Sequence, residues 1–272
     1  MVSDTGTERQ STAPTSQVFI ARMRSCVKLM AMQSFKCVYA SRWVQACMSS
    51  DKQESQAPGV SRRALVCDFD GTITDVDTGR LVLATFSDGD WMQHHEQYLR
   101  GEFSFEECLR RQYSDVTRAT KASILSLVDK HVKIRPGFEE LLAAAALSDV
   151  PVTVASYGLD FCIENILRRV RSRGALEIYS PKAKLEAGRI TLAFPSPRTA
   201  EAVNLKEDAV CWYRQRGFEV FFVGDGASDL PAVKKADASF AMRGSELASM
   251  CERERVRCVP IPDFWPVTNV LA

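Results

Sequence analysis

The chain has 272 residues, 46% of them apolar and 25% charged, a globular profile long enough for a complete core, which excludes a disulfide-stapled miniprotein or a wholly disordered chain. A formal net charge of +1 provides no basic field for nucleic acid, and no stretch approaches the roughly 18 uninterrupted apolar residues of a membrane-spanning helix.

The positive excess is confined to a leader, residues 1–62, with eight Lys/Arg against four Asp/Glu; the remainder is net acidic. No acidic residue lies between Glu8 and Asp51, while Arg9, Arg22, Arg24, Lys28, Lys36 and Arg42 are scattered among Ser, Ala, Met and aromatic residues. That composition fits an organellar presequence, whereas the acidic start at Asp4 and Glu8 fits an untargeted disordered extension or a start upstream of Met23 or Met48. The expected location is the cytoplasm, or a mitochondrial or plastid matrix if the leader is a transit peptide. Ser49 to Ser61 reads as a polar linker with Pro58 and Gly59. The nine cysteines include no C-x-x-C pair, and several sit in apolar runs, so reduced structural thiols are expected.

Ala64 to Cys67 is apolar on both faces, as in a central strand of a sheet covered on both sides. Similar runs recur at Pro151 to Ala155, Val220 to Val223, Ser239 to Met242 and Val256 to Ile261. Leu159, Ile163, Ile166, Leu167 and Val170 share a helical face, and Leu205 to Arg216 and Pro231 to Ala236 also read as helices. Leu176 to Phe194, with Ala187-Gly188 at its middle, reads as a strand hairpin. From Asp77 to Arg135 the alternation lapses. Phe105, Leu109 and Tyr113 make one helical stripe, Ile124, Leu127 and Val128 another, and Ser104 with Glu107 forms a capping-box pattern. The expected architecture is α/β: a doubly wound, mostly parallel, Rossmann-type sheet with a small all-helical insertion after the first strand. Residues 63–76 and 136–272 form the core and 77–135 a helical cap, which either closes over the strand ends or packs permanently on the sheet.

The first strand ends in DFDGTIT, Asp68 to Thr74. Ligands of open α/β sheets bind beyond the carboxyl ends of the strands, so Asp68 and Asp70 project into the expected crevice. Gly71 permits the turn between them. The acidic turn GDGASD, Gly224 to Asp229, follows another strand and lies on the same edge. Two unit charges about 4 Å apart repel by about 4 kcal/mol at an effective dielectric near 20, so four converging carboxylates need a cation. Hard oxygen ligands favour Mg²⁺, which usually keeps waters and phosphate oxygens in its shell. The residues alone thus point to a phosphorylated substrate. Singly, each residue has a plainer reading: Asp68 and Asp70 as turn carboxylates, Asp229 as a helix cap, Ser156 as a small residue.

These motifs resemble the haloacid dehalogenase superfamily, whose first motif is D-x-D-x-T at a strand end. Ser156 after the second strand, Lys206 at a helix head and the pair Asp225/Asp229 match its other motifs in order. Lys182 and Lys184 are nearby alternatives to Lys206. The resemblance implies a phosphatase in which Asp68 attacks phosphorus to form an aspartyl phosphate and Asp70 serves as acid and then base. Ser156 and Lys206 would hold the phosphoryl oxygens, and Asp68, the Asp70 backbone carbonyl and Asp225, supported by Asp229, would hold Mg²⁺. The segment between the first two motifs has room for the helical cap of the phosphoserine-phosphatase-like branch. Within that branch the chain is similar to methionine-salvage phosphatases acting on 2-hydroxy-3-keto-5-methylthiopentenyl 1-phosphate, through CDFDGTIT, Trp91-Met92, IRPGF (Ile134 to Phe138), S-x-G-x-D-F (Ser156 to Phe161) and IPDF (Ile261 to Phe264). The stretch from Pro195 to Asn204 departs from the Cys-rich pattern of that enzyme.

Asp77, where the branch often has a substrate-facing acid, reads equally as a helix cap, and Gly158 is a second expected substrate contact. Alternative substrates are phosphoserine, phosphocholine, phosphoethanolamine or, for phosphotransfer, sugars; a non-catalytic phosphate-binding regulator is the reading outside the enzyme class. His94 and His95 lack the third element of a metalloprotease helix and read as solvated. Gly224 and Gly226 do not complete a dinucleotide loop. No motif speaks to oligomeric state.

Overall fold

The computed structural model describes residues 62–171, 174 and 176–271; the leader, with Cys26, Cys37 and Cys47, lies outside the described residues. Its centre is a six-stranded sheet in which every neighbouring pair is parallel, in the order β3-β2-β1-β6-β7-β8. The strands are β1 (Arg63–Cys67), β2 (Val152–Ala155), β3 (Leu176–Tyr179), β6 (Glu219–Gly224), β7 (Ala238–Met242) and β8 (Val259–Ile261). A separate antiparallel ribbon pairs β4 (Lys182–Glu186) with β5 (Arg189–Ala193). The fold is the α/β, mostly parallel arrangement that the strand–helix alternation implies.

Period-two alternation sorts the strand side chains into two cores. Leu65, Cys67, Val152, Val154, Phe221 and Val223 face one way. They pack under α5 (Phe138–Leu147), α6 (Asp160–Leu167) and α10 (Trp265–Leu271). Ala64, Val66, Val220 and Phe222 face the other way, under α7 (Leu205–Arg214), α8 (Leu230–Lys235) and α9 (Glu246–Glu254). Both faces are therefore dry, which is why these strands read as continuous apolar runs.

Residues 78–131 form four helices: α1 (Thr78–Phe86), α2 (Trp91–Leu99), α3 (Phe105–Ser114) and α4 (Lys121–His131). The chain leaves for these helices and returns from them along paired segments. Thr74 bridges Ile134, the Asp75 N–H donates to Lys133 O at 3.0 Å, and the Lys133 N–H donates to Asp75 Oδ1 at 2.8 Å.

The structure corrects several expectations. Leu176 to Phe194 is not one hairpin: β3 joins the main sheet beside β2, and only β4 and β5 pair across Ala187-Gly188, because Leu176, Ile178 and Tyr179 have apolar surface to bury against the sheet. The last strand begins at Val259 rather than Val256, since Val256 packs instead against the end of α9. At α3 only half of the capping box forms. Ser104 accepts from the Glu107 N–H, but the Glu107 carboxylate turns to Arg111. The complete box is at α4, between Thr120 and Ser123. Helices α5, α9 and α10 are not among the elements expected from the sequence; in α5 the run of alanines blunts the apolar stripe. His94 and His95 are half-buried rather than solvated, and His94 Nε2 lies 3.1 Å from Asp115 Oδ2. Cys67, Cys108, Cys162, Cys211, Cys251 and Cys258 are free thiols.

The stretch from Pro195 to Asn204 is tied down by Asp208. Its carboxylate accepts from the backbone N–H groups of Arg198 and Thr199, from the Thr199 hydroxyl at 2.7 Å and from the Tyr179 hydroxyl at 2.7 Å. Burial works against the charge, but these donors hold the Asp208 carboxyl below its ordinary range. A depressed folded-state value means stabilisation that is present above the unfolded value of about 3.9 and lost as pH falls through the folded one. Asp208→Asn should lower unfolding stability by about 1.5–3 kcal/mol at neutral pH. In urea titrations the gap from wild type should shrink as the pH drops below about 4; a pH-independent gap would contradict this role for the charge.

Candidate active site

The strand order reverses at β1, so β2 and β3 lie on one side and β6, β7 and β8 on the other. The carboxyl ends at such a switch point open a crevice. Asp68 leaves β1, Ser156 leaves β2, and Asp225 leaves β6. The ends are pinned together: the Asp68 N–H donates to Val223 O at 2.9 Å, and the Ser156 N–H to Tyr179 O at 3.1 Å. A crevice of about 530 Å³ lies there, lined by Asp68, Asp70, Asp77, Ser156, Gly158, Lys206 and Asp225 among others.

Among the described residues, carboxylate oxygens of Asp68, Asp225 and Asp229 come within 4.8 Å of one another. Lys206, in the first turn of α7, points its ammonium into them, 2.9 Å from Asp68 Oδ1 and 2.6 Å from Asp229 Oδ1. It also donates to Ser228 Oγ at 2.9 Å. The α7 start is fixed by Asn204, whose Oδ1 accepts from the Lys206 and Glu207 N–H groups and whose amide donates to Ser228 O. Lys182 instead pairs with Asp160 and Glu164 at the ribbon.

Three carboxylates against one ammonium leave two negative charges in a nearly water-free place. Burial and the neighbouring Asp229 push the Asp68 carboxyl well up; burial and Asp229 likewise raise Asp225. Lys206 is held protonated, because its carboxylate partners outweigh the desolvation that opposes its charge. Asp229, fully buried, is committed: Oδ2 accepts from the Asp225 and Gly226 N–H groups at 2.9 Å, and Oδ1 meets Lys206. Asp225 Oδ1 accepts from the Thr72 hydroxyl at 2.9 Å. The oxygen donors left over on Asp68 and Asp225 suit a hard divalent cation that would cancel the excess.

Asp70 lies outside this cluster. Its Oδ1 accepts from the Thr78 N–H at 2.7 Å and the Thr78 hydroxyl at 2.6 Å. Burial, then repulsion from Asp77, pushes its carboxyl up to about 7 against the lowering effect of those bonds, which is the range in which a carboxyl can both give and take a proton near neutrality. Asp77 is the N-cap of α1, accepting from the Arg80 N–H, and lines the crevice as well. The two readings of that residue are thus compatible. Ser156 Oγ accepts from the Gly158 N–H at 3.0 Å. A Cβ on Gly158 would stand 2.6 Å from Asp70 Oδ2 and 3.3 Å from Ser156 Oγ, so a bare backbone here lets these two groups share the crevice.

Thr72 is the threonine of the D-x-D-x-T motif, whereas three further supporting residues, Thr78, Asn204 and Arg135, lie outside the candidate residues named from the sequence. Arg135 has the largest reach. Its guanidinium donates to Thr72 O at 3.0 Å and Gly71 O at 2.8 Å, staking down the turn that carries Asp70. Gly71 holds φ +75, and a Cβ on it would collide with Asp225 Oδ2. The IRPGF motif carried the signal for Arg135, but nothing in its spacing told that the side chain returns to a loop more than sixty residues earlier.

The fold and site define a hydrolytic enzyme of the phosphatase kind. The chain belongs to the haloacid dehalogenase-like hydrolases, whose family profile matches residues 65–234. Among curated relatives, a 2-hydroxy-3-keto-5-methylthiopentenyl-1-phosphate phosphatase of Bacillus pumilus is 26% identical over 179 residues, 64% of this chain and 77% of that one. The polyol phosphate phosphatase PYP1 of Saccharomyces cerevisiae is 25% identical over 226 residues, 78% and 92% of the two chains. The bifunctional enzyme MtnB/MtnX of Bacillus licheniformis is 26% identical over 211 residues, 76% of this chain but 48% of its own, so the chain spans about half of that relative. A phosphoserine phosphatase captured as an analogue of its phospho-aspartyl intermediate superposes with a TM-score of 0.59 at 16% identity, covering 78% of this chain and 100% of that one. At that identity the fold is what is shared.

Gly158→Ala should leave the fold intact and lower kcat by about 100-fold, as expected for a misplacement near 1 Å at a reacting group. Steady-state phosphate release measured alongside circular dichroism checks this; undiminished kcat would mean that Asp70 does not need its present position.

Proposed function

We propose that the protein is a Mg²⁺-dependent phosphomonoester hydrolase of a small metabolite that works through an aspartyl phosphate on Asp68. The observation that carries this reading is the buried Lys206 ammonium held by Asp68 and Asp229, beside a separate Asp70 fixed by Thr78. In the first step an Asp68 oxygen attacks phosphorus and the ester P–O bond breaks. The departing oxygen takes the proton of the Asp70 carboxyl. In the second step the Asp70 carboxylate removes a proton from water, whose oxygen attacks the same phosphorus and releases inorganic phosphate and free Asp68. The transition states are metaphosphate-like, so positioning and charge supply most of the acceleration. Lys206 and the Ser156 hydroxyl, which line the crevice, would hold the equatorial oxygens. Asp68, the Asp70 carbonyl and Asp225 would hold Mg²⁺, with Asp229 fixing their arrangement; when bound, the ion supplies charge neutralisation at the phosphoryl group.

The helices between Thr78 and His131 serve as the cap and supply the leaving-group wall. Trp91, Met92, Leu99, Phe105 and Leu109 line the crevice, and the Phe105 ring packs edge-on against Tyr157 of the core, 4.9 Å between centroids. An apolar wall suits a leaving group with an uncharged tail. Together with the names of the relatives, it favours 2-hydroxy-3-keto-5-methylthiopentenyl 1-phosphate over phosphoserine, phosphocholine or phosphoethanolamine.

Asp68→Asn should reduce phosphate release at least 10⁴-fold, on the order of what loss of a nucleophile costs. Chelation by EDTA should abolish wild-type turnover and added Mg²⁺ restore it. Across a panel of phosphorylated metabolites the methylthio ester should rank highest in kcat/KM. Activity surviving in Asp68→Asn would remove Asp68 as the nucleophile, and a panel led by phosphoserine would overturn the substrate reading.

A further inference from the structure

Tyr113, on α3, is 2% exposed and its ring belongs to the core beside Leu109 and Val116. The ring is held by that core, while the side chain also lines the crevice that holds Asp68 and Asp70, so the hydroxyl is within reach of a ligand there. Across from it stands Gly79, in the first turn of α1, where glycine costs helix stability of about 1 kcal/mol relative to alanine. A Cβ on Gly79 would lie 2.8 Å from Tyr113 Oη and 3.3 Å from Asp77 Oδ1. The two oxygens therefore flank a bare Cα, and a side chain there would fill the gap between them.

We propose that Tyr113 is a specificity-determining residue: its hydroxyl, with the Asp77 carboxylate opposite, recognises a hydroxyl of the leaving group close to the phosphoester. The chemistry of the pair selects the ligand. A phenol at neutral pH can donate, and an ionised carboxylate only accepts. An alcohol hydroxyl satisfies both, accepting from Tyr113 and donating to Asp77, whereas an alkyl chain satisfies neither. Asp77 directly precedes Thr78, whose N–H and hydroxyl hold Asp70 Oδ1 at 2.7 and 2.6 Å, and Asp70 is the group that meets the ester oxygen. The recognised hydroxyl is thus on the carbon next to the ester carbon. The rigid ring fixes the donor before the ligand arrives, so the preference is built into the empty crevice.

This inference rests on the phosphatase reading, and a binding experiment separates the two. The Asp68→Asn protein with Mg²⁺ is titrated calorimetrically with propane-1,2-diol 1-phosphate and with propyl phosphate, which differ by one hydroxyl. The diol ester should bind about tenfold more tightly, the value of one satisfied hydrogen bond. Adding Tyr113→Phe, which keeps the ring, should bring the ratio near one and leave the propyl phosphate Kd unchanged. Equal Kd values in Asp68→Asn, no binding of the diol ester, or equal weakening of both esters by Tyr113→Phe would overturn the subsite. A preserved binding preference with no phosphate release from either ester by the wild-type protein would overturn the hydrolase reading and leave the subsite standing.

Discussion

One ammonium among three carboxylates governs this molecule. Lys206 can remain charged while nearly fully buried only because Asp68 and Asp229 stand within 3 Å of it, and those carboxylates can be buried only because Lys206 answers part of their charge. A buried pair of this kind is weak evidence for stability, since hydrophobic replacements often serve folding as well or better. Its value lies in preorganisation. Oxygens and an ammonium fixed in a dry crevice stabilise charge that develops during a reaction without having to reorient. The pair does not balance, and the remaining negative charge on Asp68 and Asp225 is what a divalent ion would engage.

The sheet supplies the precision. Asp68, Asp70, Ser156, Asp225 and Asp229 sit just beyond the carboxyl ends of buried strands, where the backbone is already held by ladder hydrogen bonds and by two apolar cores, and Lys206 reaches them from the first turn of α7. Small corrections are then made by short polar contacts. Thr72 orients Asp225, Thr78 orients Asp70, Asn204 sets the start of α7, and Arg135 anchors the turn between Asp68 and Thr74. The crevice combines this polar floor with an apolar wall from α2 and α3. In the proposed function, chemistry belongs to the floor and selection of the leaving group to the wall.

Much of the floor was legible in the sequence, because its residues sit at fixed offsets from strand ends. DFDGT directly after Ala64 to Cys67 and GDGASD directly after Val220 to Val223 are local patterns, and a parallel sheet brings their ends to one edge. Lys206 was separated from Lys182 and Lys184 only by the structure, since a lysine's role depends on which way its helix faces. The contacts of Arg135, Thr78 and Tyr113 were not legible for the same reason: each joins segments whose relative placement is a tertiary fact. Strand β3 was misread as half of a hairpin because its alternation resembles that of the ribbon beside it, and packing against β2 decided the matter. The half-buried His94 shows the converse limit, as an isolated polar residue in the sequence carries no mark of the Asp115 it will meet.

The central claim is that Asp68 and Asp225 share a divalent ion to relieve the charge that Lys206 leaves over. Thermal unfolding of the wild-type protein and of Asp225→Asn, each with and without millimolar Mg²⁺ and in the absence of any phosphate ester, addresses it directly. Ligand binding to the native state raises stability by about 2.7 kcal/mol at a hundredfold excess over Kd, so Mg²⁺ should raise the wild-type Tm by several degrees and leave Asp225→Asn almost unmoved. A wild-type Tm indifferent to Mg²⁺, or an equal rise in both proteins, would contradict the account.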